Sequence, residues 1–329
     1  MSRISYLLLS NGGLTGGQKM IIRHVETLCE LGFDATCMLG VGSRPPSGID
    51  HSAPIIGPRG LSEDDIVVIC DDAVDALRLS AGRAERVVVF SQGGYSLAAL
   101  GADALDTHPA ARFPVFITVG EITAARIRRM YPQAQVEVVP CFADERIFKP
   151  GDGRRLVVAH TPRKRPFEAL AIKSLFRRIH KRHAEIGWIA LAGAGEVDVA
   201  RAFATSALYL GLNRLESVGM STLEAMASGS VCAGFLGGGG EQYGSDANGF
   251  WATDDDCEAA ADALARAADM VISGGPALAD MREAGRITAE RWSYERFKLR
   301  LEETWMRLAP DARLRRAPVS PDVLDLDQG

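Results

Sequence analysis

Two glutamates eight positions apart bracket a stretch whose residue types could hold a phosphate-bearing ligand. They stand in Glu216-Ser-Val-Gly-Met-Ser-Thr-Leu-Glu224-Ala-Met-Ala-Ser-Gly229. An apolar run, residues 207–212, comes before and reads as a buried strand; residues 221–227 are good helix formers, and Gly229 is a helix-ending residue. Glu216 therefore lies at the mouth of a strand-to-helix turn, and Glu224 sits one turn into the helix. Between them the amides of Val218, Gly219 and Met220 fall at a helix N-terminus, where backbone N–H groups and the helix dipole favour a phosphate. Two alternatives compete residue by residue. Ser221-Thr222-Leu-Glu224 also fits a capping box closing on its own helix start, and Glu216 could be a solvated loop carboxylate.

Further chemistry-bearing residues recur at strand-to-helix turns. Residues 4–10 read as a first strand, and Gly12, Gly13, Gly16 and Gly17 lead from it into a helix over 18–31 with Ile21, Ile22, Val25 and Leu28 inward. Glycines there let backbone amides approach a ligand closely, as they would serve any tight turn. A strand at 35–39 completes the opening of a doubly wound α/β domain. Residues 41–60 form an irregular loop, and strands are expected at 66–70, 86–90, 115–118 and 136–139. Ser91-Gln92-Gly93-Gly94-Tyr95 leaves the C-terminal end of one of them, where open α/β sheets carry their sites. A second α/β unit restarts with a strand at 156–159 and the basic turn His160-Thr-Pro-Arg163-Lys164-Arg165-Pro166, followed by a helix over 167–183 and a strand at 188–192. Arg163 and Lys164, with Arg165 in reserve, could grip an anion at that strand end; a surface basic turn is the alternative. Asp254-Asp-Asp256 precedes a helix over 257–272 and reads as helix capping rather than a metal site.

The Glu-x7-Glu spacing followed by Ala225-Met-Ala-x-Gly229 resembles the signature of retaining GT-B glycosyltransferases of family 4. Gly16-Gly17-Gln18 resembles the Gly-Gly pair that starts that family's first helix and faces the donor phosphates. The segment 138–150, ending Phe148-Lys-Pro150, resembles the family's crossing between domains. The resemblance implies an N-terminal, acceptor-side Rossmann-like domain over 1–150 and a nucleotide-sugar-binding Rossmann-like domain over 151–308. The two would face a cleft, and a terminal helix would cross back onto the first. It implies that Glu216 meets the transferred sugar and Glu224 the donor ribose, that Gly16, Gly17, Val218, Gly219, Met220 and Thr222 lie around the donor, and that Arg163 and Lys164 hold the leaving diphosphate. Gln92 stands where many members carry a histidine close to the sugar, so it is a candidate sugar or acceptor contact. Only 56 positions separate His160 from Glu216, which implies a trimmed second domain lacking one strand–helix unit. The implied activity is retaining, metal-independent transfer of a sugar from a nucleoside-diphosphate sugar to a glycan or other small acceptor, with no cofactor. A catalytically inactive sugar-nucleotide-binding partner is the alternative, motivated by the missing unit and the missing histidine.

The totals bound the rest. A chain of 329 residues with 47% hydrophobic and 24% charged residues is long enough for two globular cores. A formal charge of −5 offers no basic excess for neutralising nucleic-acid phosphates. The six cysteines show no Cys-x-x-Cys spacing, which fits reduced thiols and a cytoplasmic setting. No apolar run approaches the roughly 20 residues of a membrane span, leaving only peripheral membrane contact open. The nicotinamide fingerprint Gly-x-Gly-x-x-Gly with its acidic ribose residue is absent, which disfavours a dehydrogenase. Residues 309–329, rich in proline and aspartate, are expected to be disordered.

Overall fold

The computed structural model describes residues 2–112 and 114–314. The chain forms two parallel sheets. The first contains β1 (Ile4–Leu8), β2 (Ala35–Leu39), β3 (Ile55–Ile56), β4 (Ile66–Cys70), β5 (Val87–Ser91), β6 (Val115–Thr118) and β7 (Gln135–Val138) in the order β3-β2-β1-β4-β5-β6-β7. Its helices are α1 (Gly16–Glu30), α2 (Val74–Leu79), α3 (Ala102–Asp106) and α4 (Glu121–Met130). Ile66-Val-Val-Ile and Val87-Val-Val-Phe are apolar at every position because helices cover both faces of a parallel sheet. The strand β3 lies inside the stretch expected to be wholly irregular; two residues paired to β2 are too few to leave a periodic trace.

The second sheet contains β8 (Arg155–His160), β9 (Gly187–Ala190), β10 (Ser206–Leu212), β11 (Val231–Phe235) and β12 (Gly249–Ala252) in the order β12-β11-β10-β8-β9. Its helices are α5 (Pro166–Ile179), α6 (Glu196–Thr205), α7 (Met220–Ala227), α8 (Cys257–Ser273), α9 (Gly275–Glu290) and α10 (Tyr294–Leu308). Strand order reverses beside β1 in the first sheet and between β8 and β10 in the second. Open α/β sheets form a crevice at such switch points, beyond the carboxyl ends of the strands. The loops after β1, β8 and β10 are thereby brought together, and they carry Gly16, Arg163 with Lys164, and Glu216.

Helix α10 returns to the first sheet. Its Trp305 is fully buried and donates to the Tyr6 hydroxyl, which also hydrogen-bonds His24 Nδ1 at 3.0 Å. Burial pushes the His24 imidazole down to about 3, so the ring is neutral at ordinary pH. Phe142, on the segment joining the sheets, stacks on Phe297 of α10 with ring centroids 4.5 Å apart. Residues 309–314 correct the expectation of a disordered tail. The Asp34 N–H bonds to the Ala312 carbonyl, the Leu314 N–H bonds to the Gly32 carbonyl, and Ala309 and Ala312 are buried. Small apolar side chains let this proline-bearing segment lie flat on the first domain. The remainder of that expectation, residues 315–329, falls outside the described residues.

Candidate active site

A cavity of about 320 Å³ opens between the two sheets and is lined by Gly16, Arg163, Lys164, Glu216, Met220 and Glu224, among others. Six residues singled out from local patterns thus share one cavity, although they come from positions 16 to 224. The other expected site residues do not line it. Gly17 lies one residue further into α1, with the Gln92 side-chain amide packed against it. Val218 is buried, with its side chain against Gly120. The Thr222 hydroxyl accepts from Asn213 Nδ2 at 2.9 Å, beneath the turn. Gly219 caps α7 with φ 87°, and an added Cβ would stand 2.8 Å from that same Asn213 amide, so glycine is required for both conformation and space. The turn is also braced from outside: the Glu216 N–H bonds to the Gly237 carbonyl, and a Cβ on Gly239 would meet the Ser217 carbonyl carbon at 2.3 Å. The glycine run after β11 is thus packed behind the turn.

Three consecutive cations follow β8, and the fold separates them. Arg163 and Lys164 face the cavity; the Lys164 ammonium is 2.8 Å from Glu216 Oε1. Arg165, held in reserve for the anion, turns inward instead and is 1% exposed. It donates to the Asn213 carbonyl at 2.8 Å, lies over the Phe235 ring, and pairs with Glu168 and Asp255. It therefore fixes the Asn213 end of the Glu216 loop. The Asp254–Asp256 run is likewise occupied by protein partners. Asp254 accepts from the Gly237 N–H, Asp255 pairs with Arg165, and Asp256 caps α8 by accepting from the Ala259 N–H.

Glu224 does not close a capping box, since no side chain caps α7. Its carboxylate crosses to the first domain, where Lys19 Nζ stands 2.7 Å from Glu224 Oε1 and 2.8 Å from Glu196 Oε1. Arg23 completes the chain at 2.5 Å from Glu196 Oε2 and also pairs with Glu26. Burial works against the Lys19 ammonium, but Glu224 and Glu196 outweigh it and raise its pKa above the ordinary lysine range. Lys19 and Glu196 escaped the sequence reading although both line the cavity. Lys19, Arg23 and Glu26 share one face of α1 at helical spacing, and such a face reads as solvated until a second domain covers it.

On the first-domain side, the loop after β5 meets the turn directly: Gly93 forms an isolated bridge with Glu216. Thr123 Oγ1 donates to Ser217 Oγ at 2.9 Å. Gln92 is half-buried, and its Nε2 points toward Cys70 Sγ at 3.5 Å rather than into the cavity. Asp71 holds this loop by accepting from the Ser91 and Ser96 hydroxyls. Burial outweighs these hydrogen bonds and pushes its carboxyl up to about 6. A carboxyl raised in the folded state contributes stability that is fully present below its unfolded pKa and is lost as pH rises through the folded value. Between pH 4 and 7, wild type should therefore lose on the order of 2 kcal/mol relative to Asp71→Asn. Denaturant midpoints of both proteins across that range check this, and a constant difference would contradict it.

The two parallel sheets, their switch-point cleft and the returning last helix define a two-domain protein of the GT-B fold. No protein-family model matches the chain. It is 25% identical over 246 residues to an α-1,6-glucosyltransferase of Actinobacillus pleuropneumoniae serotype 7 (strain AP76), spanning 70% of this chain and 72% of that one. Among solved structures it is similar to sucrose-phosphate synthase from Thermosynechococcus elongatus, with a TM-score of 0.67 at 14% identity over 94% of this chain and 100% of that one. It is also similar to Anabaena Alr3699/HepE in complex with UDP and glucose, with a TM-score of 0.67 at 15% identity over 93% of this chain and 100% of that one.

Proposed function

We propose that this chain is a glycosyltransferase that moves a sugar from a nucleoside-diphosphate sugar to the hydroxyl of a glycan or other small acceptor. The carrying observation is that Arg163, Lys164, Glu216 and Glu224 line one interdomain cavity at the start of α7. In this reading Glu224 receives the ribose hydroxyls and the sugar lies against Glu216. Its diphosphate meets Arg163, Lys164 and the unpaired first amides of α7. As the sugar–oxygen bond breaks, charge grows on the leaving diphosphate, and fixed cations stabilise that state more than the ground state. The Lys164–Glu216 pair is exchanged for ligand contacts on binding. Lys164 exchanges a carboxylate for a phosphate, and Glu216 is released toward the sugar hydroxyls. Family 4 membership and retention of anomeric configuration are proposals that rest on the Glu216-x7-Glu224 pattern. Metal independence is proposed because cations and amides already face the diphosphate. A cytoplasmic location is proposed from the cysteine pattern; no helix among the described residues is long and apolar enough to cross a membrane.

UDP-glucose is the first donor to try, since a similar structure holds UDP-glucose and the curated relative is named a glucosyltransferase. We expect the purified protein to release UDP slowly from UDP-glucose without an acceptor, at the same rate with and without a chelator. Tight nucleotide binding with no turnover on any donor–acceptor pair would make it a binding module. A saturable requirement for magnesium would overturn the metal-free mechanism.

A further inference from the structure

We propose that Lys19 is a positioning residue for the donor: it pins the Glu224 carboxylate that reads the ribose diol. The inference rests on the ribose assignment of Glu224 made above and extends it to a residue of the opposite domain. Nothing in its own helix holds Glu224. Its neighbours along α7 are apolar or small, and no capping bond draws it back. The carboxylate is almost fully withdrawn from solvent, where an unpaired charge would be costly and its rotamer unfixed. Lys19 supplies the compensating charge at 2.7 Å through Glu224 Oε1. Among the described residues no side chain donates to Oε2, which leaves that oxygen, and the second lone pair of Oε1, for two vicinal hydroxyls.

Lys19 is itself aimed. Glu196, at the first turn of α6, takes a second contact from the ammonium at 2.8 Å, and Arg23 fixes the far oxygen of Glu196. The order Arg23, Glu196, Lys19, Glu224 alternates sign across the cleft, so each buried charge has an opposite neighbour on both sides or ends at the ligand. The ammonium donates to Glu224 Oε1 and stands at ion-pair distance from Glu196 Oε1, so its charge is shared between the two carboxylates. The arrangement also makes ribose recognition depend on closure. Lys19 and Arg23 belong to the first sheet's α1, whereas Glu196 and Glu224 belong to the second sheet's helices.

The test compares binding of UDP and of 2′,3′-dideoxy-UDP by calorimetry to the full-length chain, in wild type, Lys19→Met, Lys19→Arg, Glu196→Gln and Glu224→Gln. Wild type should prefer UDP by about tenfold or more, the scale of a charged hydrogen bond. Glu224→Gln should erase that preference. Lys19→Met should also bring the two ligands within about twofold of each other, and Lys19→Arg should restore part of the preference. Donor KM should rise about tenfold in Lys19→Met while kcat changes less than threefold, because the ribose lies away from the breaking bond. If Lys19→Met does not fold, Glu196→Gln carries the test, since loosening the second anchor should lower the preference in part. Full retention of the preference in the Lys19 and Glu196 variants, with its loss in Glu224→Gln, overturns the role of Lys19 alone. Retention in Glu224→Gln, or no preference in wild type, overturns the ribose assignment and the Lys19 proposal together.

Discussion

Glu216→Ala is expected to leave affinity for UDP within about threefold of wild type while sugar transfer falls by about two to three orders of magnitude. The carboxylate stands at the mouth of the turn before α7, whereas Glu224 lies a turn deeper, beside Lys19. In the proposed arrangement free nucleotide would engage the deeper pocket and the helix amides and would have little use for Glu216. The transferred sugar would rely on it. Glu216 is also the partner of Lys164, so its removal leaves that ammonium without a carboxylate. Lys164 is about one-third exposed, so water can satisfy it and the fold should stand. Removing the negative charge beside Lys164 should, if anything, help a diphosphate bind. Steady-state transfer measured with nucleotide affinity separates the possibilities. Parallel losses in both would move Glu216 from the sugar to the nucleotide.

The second large effect is expected at the basic turn after β8. Arg163→Ala and Lys164→Ala should each lower turnover by about two orders of magnitude, the usual scale for one donor aimed at developing charge. Donor affinity should fall less, because the diphosphate gains charge only as the bond breaks. Lys164→Arg should restore activity in part, since a planar guanidinium cannot reproduce the contacts of a compact ammonium. Arg165→Ala should behave differently. Its guanidinium is buried and tied to the Asn213 carbonyl, so the variant should melt earlier and lose activity through the loop it supports. Wild-type turnover in both alanine variants at 163 and 164 would reduce that turn to a surface feature.

The separation of Arg165 from its neighbours marks the limit of what a contiguous pattern can tell. Three cations in a row announce an anion-facing turn, and local backbone geometry alone does not say which one turns inward. That is decided by the Phe235 ring, the Asn213 carbonyl and Asp255, which lie 48 to 90 positions away and exist as a pocket only once the second sheet has formed. Much else was legible in the chain itself. Apolar runs that are buried on both faces, glycines at strand-to-helix turns and periodic helices dictate a doubly wound α/β architecture through local propensity and pattern. Glu216, Glu224 and the start of α7 lie in one continuous stretch, so their relative placement follows from a strand, a turn and a helix. Lys19, Arg23 and Glu196 were different. By periodicity Lys19 and Arg23 belong on the solvated side of α1, and Glu196 belongs in an ordinary first helical turn. Docking of the two domains removes all three from water, and burial then forces these charges to pair across 173 to 205 positions of sequence. The same docking logic governs residues 309–314, where composition argued for disorder. A few small side chains and two backbone hydrogen bonds to the first domain instead hold the segment in place, since free energy of that size resides in the surface it meets and not in its own sequence.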